Sequence, residues 1–237
     1  MPFTIELIFL LGITCLIFYI VFISLNFIFG VFFFRLYQKR DEKGSNIFFL
    51  LISLFFFCIG IAYLFRLYFM FCIPTNFYDE IIYRHLQITR DLSKYHAFII
   101  YLGYAFLSAA GEYSLYKKRT KFIFSIAIAI SSTILIILPY ELSLSFHIVP
   151  IVISAATIYI LIITYLYLAV KHTGYVRKYL LIIAAGLFIF LIGQLFNNYG
   201  FLQNLQPEFQ YVRYTVISPI MQIIGISLLY YGYKKQT

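Results

Sequence analysis

The chain has 237 residues, of which 63% are hydrophobic and only 11% charged, with a mean hydropathy of +0.92. A soluble globular domain carries about a quarter charged residues, so the composition excludes that class and makes lipid the solvent of the fold. The formal charge of +9 resides in gaps between apolar runs, where anionic headgroups sit, and this disfavours nucleic acid as a partner.

About 20 apolar residues cross a bilayer as a helix, and seven runs approach that length. Run one, Leu7 to Phe34, has no basic residue before it and Arg35, Lys39, Arg40 and Lys43 after it, so it reads as an uncleaved anchor. Run two, Ile47 to Phe69, carries Arg66 in its last turns. At about 1.5 Å per residue that guanidinium stands roughly 28 Å from Ile47, at headgroup level, where it can snorkel or pair with Glu141. The gap over residues 72–96 places Glu80, Arg84, Gln87, Asp91 and Lys94 on one helical face and Ile81, Ile82, Leu86 and Leu92 largely on the other. Such a segment is amphipathic and is expected to lie on the outer surface or, as the alternative, to extend run three outward. Asn76 and Asp79 offer its start, and Ser93 a second cap for run three.

Run three, Ala97 to Tyr116, contains Glu112, the only acidic residue well inside a run. Its depth is roughly 22 Å in a core of about 30 Å. An intramembrane carboxylate relays protons or binds a cation, or else it is satisfied by structural partners. Run four, Phe122 to Leu138, is short and is expected to continue through Pro139 or to stand upright. Run five, Val149 to Val170, has Ser154, Thr157 and Thr164 on one face. Run six, Tyr179 to Asn197, ends in Gln194, Asn197 and Asn198. Run seven, Tyr214 to Tyr233, has Thr215, Ser218, Gln222 and Gly225 on one face, with a kink expected at Pro219 because proline leaves the Thr215 carbonyl without its donor.

Most of the 18 Lys and Arg residues follow odd runs: Arg35 to Lys43, Lys117 to Lys121, Lys171 to Lys178, and Lys234 with Lys235. Short basic loops stay cytoplasmic. The sequence therefore reads as an all-α, multi-pass protein of the cell membrane, a single seven-helix domain over residues 1–237 with the amino terminus outside. A weak match of Leu54–Gly60 to Leu187–Gly193, and of Tyr116–Thr120 to Tyr233–Thr237, suggests a 3+1+3 plan of parallel repeats. With Trp absent, Tyr230, Tyr231 and Tyr233 are expected to serve as an interfacial belt.

Catalytic signatures are missing from the sequence. His85, His96, His147 and His172 lack metal-ligand spacing, and no central His or Lys stands ready to activate a serine. Cys15, Cys58 and Cys72 read as apolar packers with no disulfide. In run seven Gln222 stands where retinal proteins have a lysine, and Glu112 is followed by Tyr113 rather than by the arginine of the large receptor family. Arg66, His96, Glu141, His147, Gln194, Asn197 and Asn198 map to outer ends, with Thr215, Ser218 and Gln222 on the wall of run seven, while the inner halves of runs two and six are nearly free of polar groups. A pocket open to the outside follows more readily than a polar path. The expectation is a receptor-like bundle, without cofactor, that binds a small or amphiphilic ligand and acts through an unidentified protein partner. Its basic loops would lie on anionic inner-leaflet lipid. A small-solute facilitator is the alternative, and a lipid-modifying intramembrane enzyme the third reading.

Overall fold

The computed structural model describes residues 5–39, 45–71, 87–115, 120–139, 146, 148–196, 212 and 216–235. Among them every regular element is helical: α1 (Ile5–Lys39), α2 (Ser45–Phe71), α3 (Gln87–Ser114), α4 (Ile123–Ile137), α5 (Ile148–Lys171), α6 (Gly174–Phe196) and α7 (Ser218–Lys234). Four of them, α1, α2, α5 and α6, are long and apolar enough to cross a membrane. A helix satisfies its own backbone N–H and C=O groups, which is what a segment crossing lipid requires. Leu10, Ile28, Ile123, Ile137 and Val170 all leave more than half of their surface exposed, which hydrocarbon tolerates and water does not.

Helix ends differ from the expected ones where local chemistry intervenes. Instead of a separate surface helix before run three, α3 continues unbroken from Gln87 to Ser114. Ser93 lies inside it and caps nothing, because no Gly or Pro falls between Gln87 and Gly103; residues 72–86 lie outside the described residues. At the other extreme α4 stops at Ile137 and Leu138 is extended, with φ −66° and ψ 144°. The helix does not run through Pro139, since the residue before a proline is pushed out of the helical region. Only His172 and Thr173 separate α5 from α6. Gly174 makes that turn at φ 63°, a conformation open to glycine and costly for other residues. Arg177 and Lys178 thus belong to the start of α6 rather than to a loop. Finally, Pro219 lies in the first turn of α7, where its missing N–H is no loss, directly after the π-helical Val216 and Ile217; the expected kink turns on the Thr215 carbonyl. Thr215 lies outside the described residues.

The chain divides into two compact units, Asn26–Thr157 and Met1–Leu25 with Ile158–Thr237. Within the first, α1 and α2 pack antiparallel. A Cβ on Gly30 would lie 2.9 Å from the Phe57 ring and one on Gly60 would lie 3.2 Å from that of Phe27. The Ser53 hydroxyl donates to the Gly30 carbonyl at 2.8 Å. Phe33 stacks on Phe49 and Phe56, with centroids 6.3 and 5.8 Å apart. α2 meets α3 through Gly103, whose absent Cβ leaves room for Cys58 and Ile59.

Within the second unit α6 and α7 come closer still. Gly186 faces the Gly225 carbonyl and Leu229 nitrogen, each 3.0 Å from a built Cβ. Gly193 faces Met221 and Gln222, Gly225 faces the Phe190 backbone, and Gly232 faces Ile183. Glycines seven apart on each helix keep one seam clear, so the backbones touch where lipid supplies no hydrophobic drive. Tyr233 is buried in this unit and its hydroxyl lies 3.4 Å from that of Tyr165 on α5. It is therefore a packing residue, whereas Tyr231 is 42% exposed.

Candidate functional site

Three polar clusters emerge among the described residues, two in the unit Asn26–Thr157 and one in the other. The first surrounds Glu112, which is 1% exposed. One carboxylate oxygen accepts from the Ser125 backbone N–H at 2.9 Å, the Ser125 hydroxyl at 2.6 Å and the Ser108 hydroxyl at 3.2 Å, while the other accepts from the Thr120 hydroxyl at 2.6 Å. Ser125 is in the first turn of α4, whose N-terminal flanking residue Phe122 supplies no side-chain cap. An acid on α3 thus takes over that duty across the helix pair. Lys121 and Phe122 between them adopt φ 49° and 60°, left-handed conformations that cost non-glycine residues on the order of 1–3 kcal/mol each. Glu112 clamps this tight turn from both sides through Thr120 and Ser125. With four donors on its two oxygens, its geometry is that of a structural clamp, and a lysine partner is not needed to satisfy it.

The second cluster joins α2 to α3 near Phe71 and Gln87. His96 Nδ1 lies 2.7 Å from the Ala62 carbonyl; a carbonyl only accepts, so Nδ1 carries the hydrogen. The imidazole meets the Tyr63 ring edge-on at 5.7 Å, and the Arg66 guanidinium lies 6.0 Å from the centroid of the same ring. Two residues before His96, Lys94 donates to the Leu138 carbonyl, one of those that α4 leaves open at its end. Arg66 therefore belongs to an aromatic and cationic cluster within its own unit.

The third cluster lies where α6 ends and α7 begins. Ser218 donates to the Gly193 carbonyl at 2.9 Å; the Gln222 amide nitrogen reaches the same carbonyl at 3.4 Å and the Ser218 oxygen at 3.1 Å. Both side chains are fully buried. Glycine at 193 makes the arrangement possible, because a Cβ there would stand 2.9 Å from Gln222 Cγ. The carbonyl oxygen of Gln222, Oε1, is buried and has no hydrogen-bond partner among the described residues. In a dry site such an acceptor is costly to leave unmade. Gln194, next to Gly193, is partly exposed.

Of the residues selected from sequence, the structure brings Ser218 and Gln222 together with the backbone beside Gln194. Asn197, Asn198 and Thr215 lie outside the described residues. Glu112 and Arg66 stand in separate clusters of the other unit. Thr157 and Thr164 donate back to Ile153 and Ile160 of their own helix, each at 2.8 Å. His96 and Arg66, both expected at the outer boundary, meet around Tyr63; Asn26, which is 0% exposed, is a buried polar residue that the sequence pattern did not single out. A lone amide in the middle of an apolar run was the available signal. No family model, curated protein or solved structure matches the chain.

Proposed function

We propose that this protein is a receptor-like, multi-pass protein of the cell membrane with seven spans, its amino terminus outside and its carboxy terminus in the cytoplasm. In this reading it binds a small or amphiphilic ligand near its outer face, at the junction of α6 and α7, and passes the event to a protein partner. The observation that carries the reading is Gln222 Oε1. Ser218 and Gly193 hold the amide by its nitrogen, leaving a fixed, dehydrated acceptor for an N–H or O–H of the ligand. The reading also assigns Gln194, Asn197, Asn198 and Thr215 to the ligand. Glu112 serves as the clamp of the α3–α4 turn, and Arg66 anchors the outer end of α2.

Short-chain amides, polyols and alkylamines test the site as probes, read by thermal stabilisation of the purified protein. A probe with a donor should stabilise the wild type and lose that effect in Gln222→Met. Uniform stabilisation of both proteins by every probe would remove the reading. Orientation is tested separately in intact cells on a cysteine-free background. An impermeant maleimide should label a cysteine placed at Gln194 and leave one at Arg177 untouched.

A transporter of small solutes is the second reading, supported by the likeness of two hairpins. Each of the seven buried positions of α6, from Leu180 to Gly193, falls on a buried position of α2, from Phe49 to Ala62, at one constant offset. In the same way Gly103 and Gly225 occupy matching places on α3 and α7 against their preceding helices. Parallel repeats of this kind are built into many carriers. This register pairs Gly193 with Ala62, whereas the sequence match paired it with Gly60, a residue that packs against Asn26 and Phe27 of α1. Osmotic swelling of proteoliposomes in glycerol or urea separates the readings: flux favours the carrier, and tight vesicles favour the receptor.

A further inference from the structure

At the start of α6 an open groove of about 480 Å³ runs along the helix, with Gly174, Arg177 and Lys178 toward one end, Leu181, Ile182 and Ala185 along its floor and Leu228 of α7 beside it. Its wall is almost wholly apolar, while the two cations are exposed. Nothing acidic stands near them in the chain. From Glu141 to Glu208 the sequence has no Asp or Glu, and the unit that holds the groove contains only Glu6 and Glu208. We infer that this groove binds one anionic phospholipid, its headgroup phosphate between Arg177 and Lys178 and one acyl chain along Leu181, Ile182 and Ala185.

Charge and shape both select that occupant. Two cations without a carboxylate attract a phosphate, and Arg presents a planar fork of donors suited to phosphate oxygens. The hydrocarbon floor beginning one turn further on accepts a chain that a free phosphate does not have. Ala185 is small and exposed, which leaves the groove its depth; Leu181, 40% exposed, forms its rim. The inference rests on the chain being embedded in a bilayer and is independent of the ligand assigned to Gln222.

Native mass spectrometry of the full-length protein, released from nanodiscs of phosphatidylcholine with one-fifth phosphatidylglycerol, counts the lipid retained. The wild type should keep one phosphatidylglycerol. Arg177→Gln with Lys178→Gln should weaken retention by roughly 30-fold, about five-fold for each basic residue near the surface. Ala185→Phe, which keeps both charges and fills the groove, should weaken it by about ten-fold, the size of a lost apolar contact of one to two methylene groups. Arg35→Gln with Lys39→Gln removes the same charge from α1 and should leave retention unchanged. Equal losses in the α1 and α6 double variants would reduce the effect to bulk attraction and overturn the site. Full retention by Ala185→Phe would overturn the groove as the seat of the chain. Glycerol phosphate that competes as well as phosphatidylglycerol would do the same.

Discussion

The α2–α3 and α6–α7 hairpins place helices against each other by different means. In the first, side chains fill the interface: Gly103 admits those of Cys58 and Ile59, and the His96 ring meets that of Tyr63 edge-on. In the second, absence does: Gly186, Gly193, Gly225 and Gly232 let backbone meet backbone. Both then use a carbonyl of the earlier helix as acceptor for a side chain of the later one, Ala62 for His96 and Gly193 for Ser218. The difference lies in tolerance. Side-chain interfaces adjust, whereas a backbone seam has nothing that can move aside.

The sharpest way to break the comparison is to add one methyl group to each seam. A Cβ at Gly225 would lie 2.7 Å from the Phe190 backbone nitrogen, and one at Gly103 3.2 Å from the Ile59 Cδ1 and Cys58 Cβ atoms. Gly225→Ala should therefore cost about 3 kcal/mol, at the upper end of overpacking penalties, and Gly103→Ala about 1 kcal/mol or less. Buried Cys15 and Cys58 report unfolding to a thiol-reactive dye during heating, with Cys72→Ser as background. Equal shifts for the two variants would show that the seams do not differ as described.

Next in size is the clamp that follows the first hairpin. Glu112→Ala strands the Ser125 N–H and three hydroxyls in a buried turn and should destabilise by about 1–3 kcal/mol. Glu112→Gln keeps one acceptor toward Ser125 and should cost less than half as much in the same thermal assay. If Gln proved as damaging as Ala, a role for the acid beyond clamping would be indicated.

Smaller effects compare the two carbonyl contacts. Ser218→Ala removes one interhelical hydrogen bond and should cost about 0.6 kcal/mol, the usual worth of such a bond in a membrane. His96→Ala removes a bond and an aromatic edge contact with Tyr63, so its cost should be larger, by about 0.5–1.5 kcal/mol. Smallest is Gln222→Met, an unbranched replacement that deletes an unsatisfied buried acceptor together with the long amide N–H contacts to Gly193 and Ser218; gain and loss offset, and the melting temperature should move little. A loss well beyond the worth of those two contacts would mean that Oε1 is already satisfied, and would withdraw the acceptor on which ligand binding is proposed.

What sequence decided by itself was the lipid class of the protein, the approximate extent of the helices and the buried stripe of α7. Each rests on composition or on periodicity along a single helix. Ser218, Gln222 and Gly225 were legible as one face for that reason. The dihedral preference of the residue before a proline also places the end of α4 before Pro139. Only tertiary structure could show that Glu112 caps a different helix, that His96 meets the Ala62 carbonyl, and that Gly60 and Gly193 face different neighbours. Those outcomes depend on which helix faces which. In a chain where Phe, Leu and Ile cover nearly every face, apolar patterning carries little information about partners; close packing at a few glycines and hydrogen bonding at a few buried polar groups make the choice.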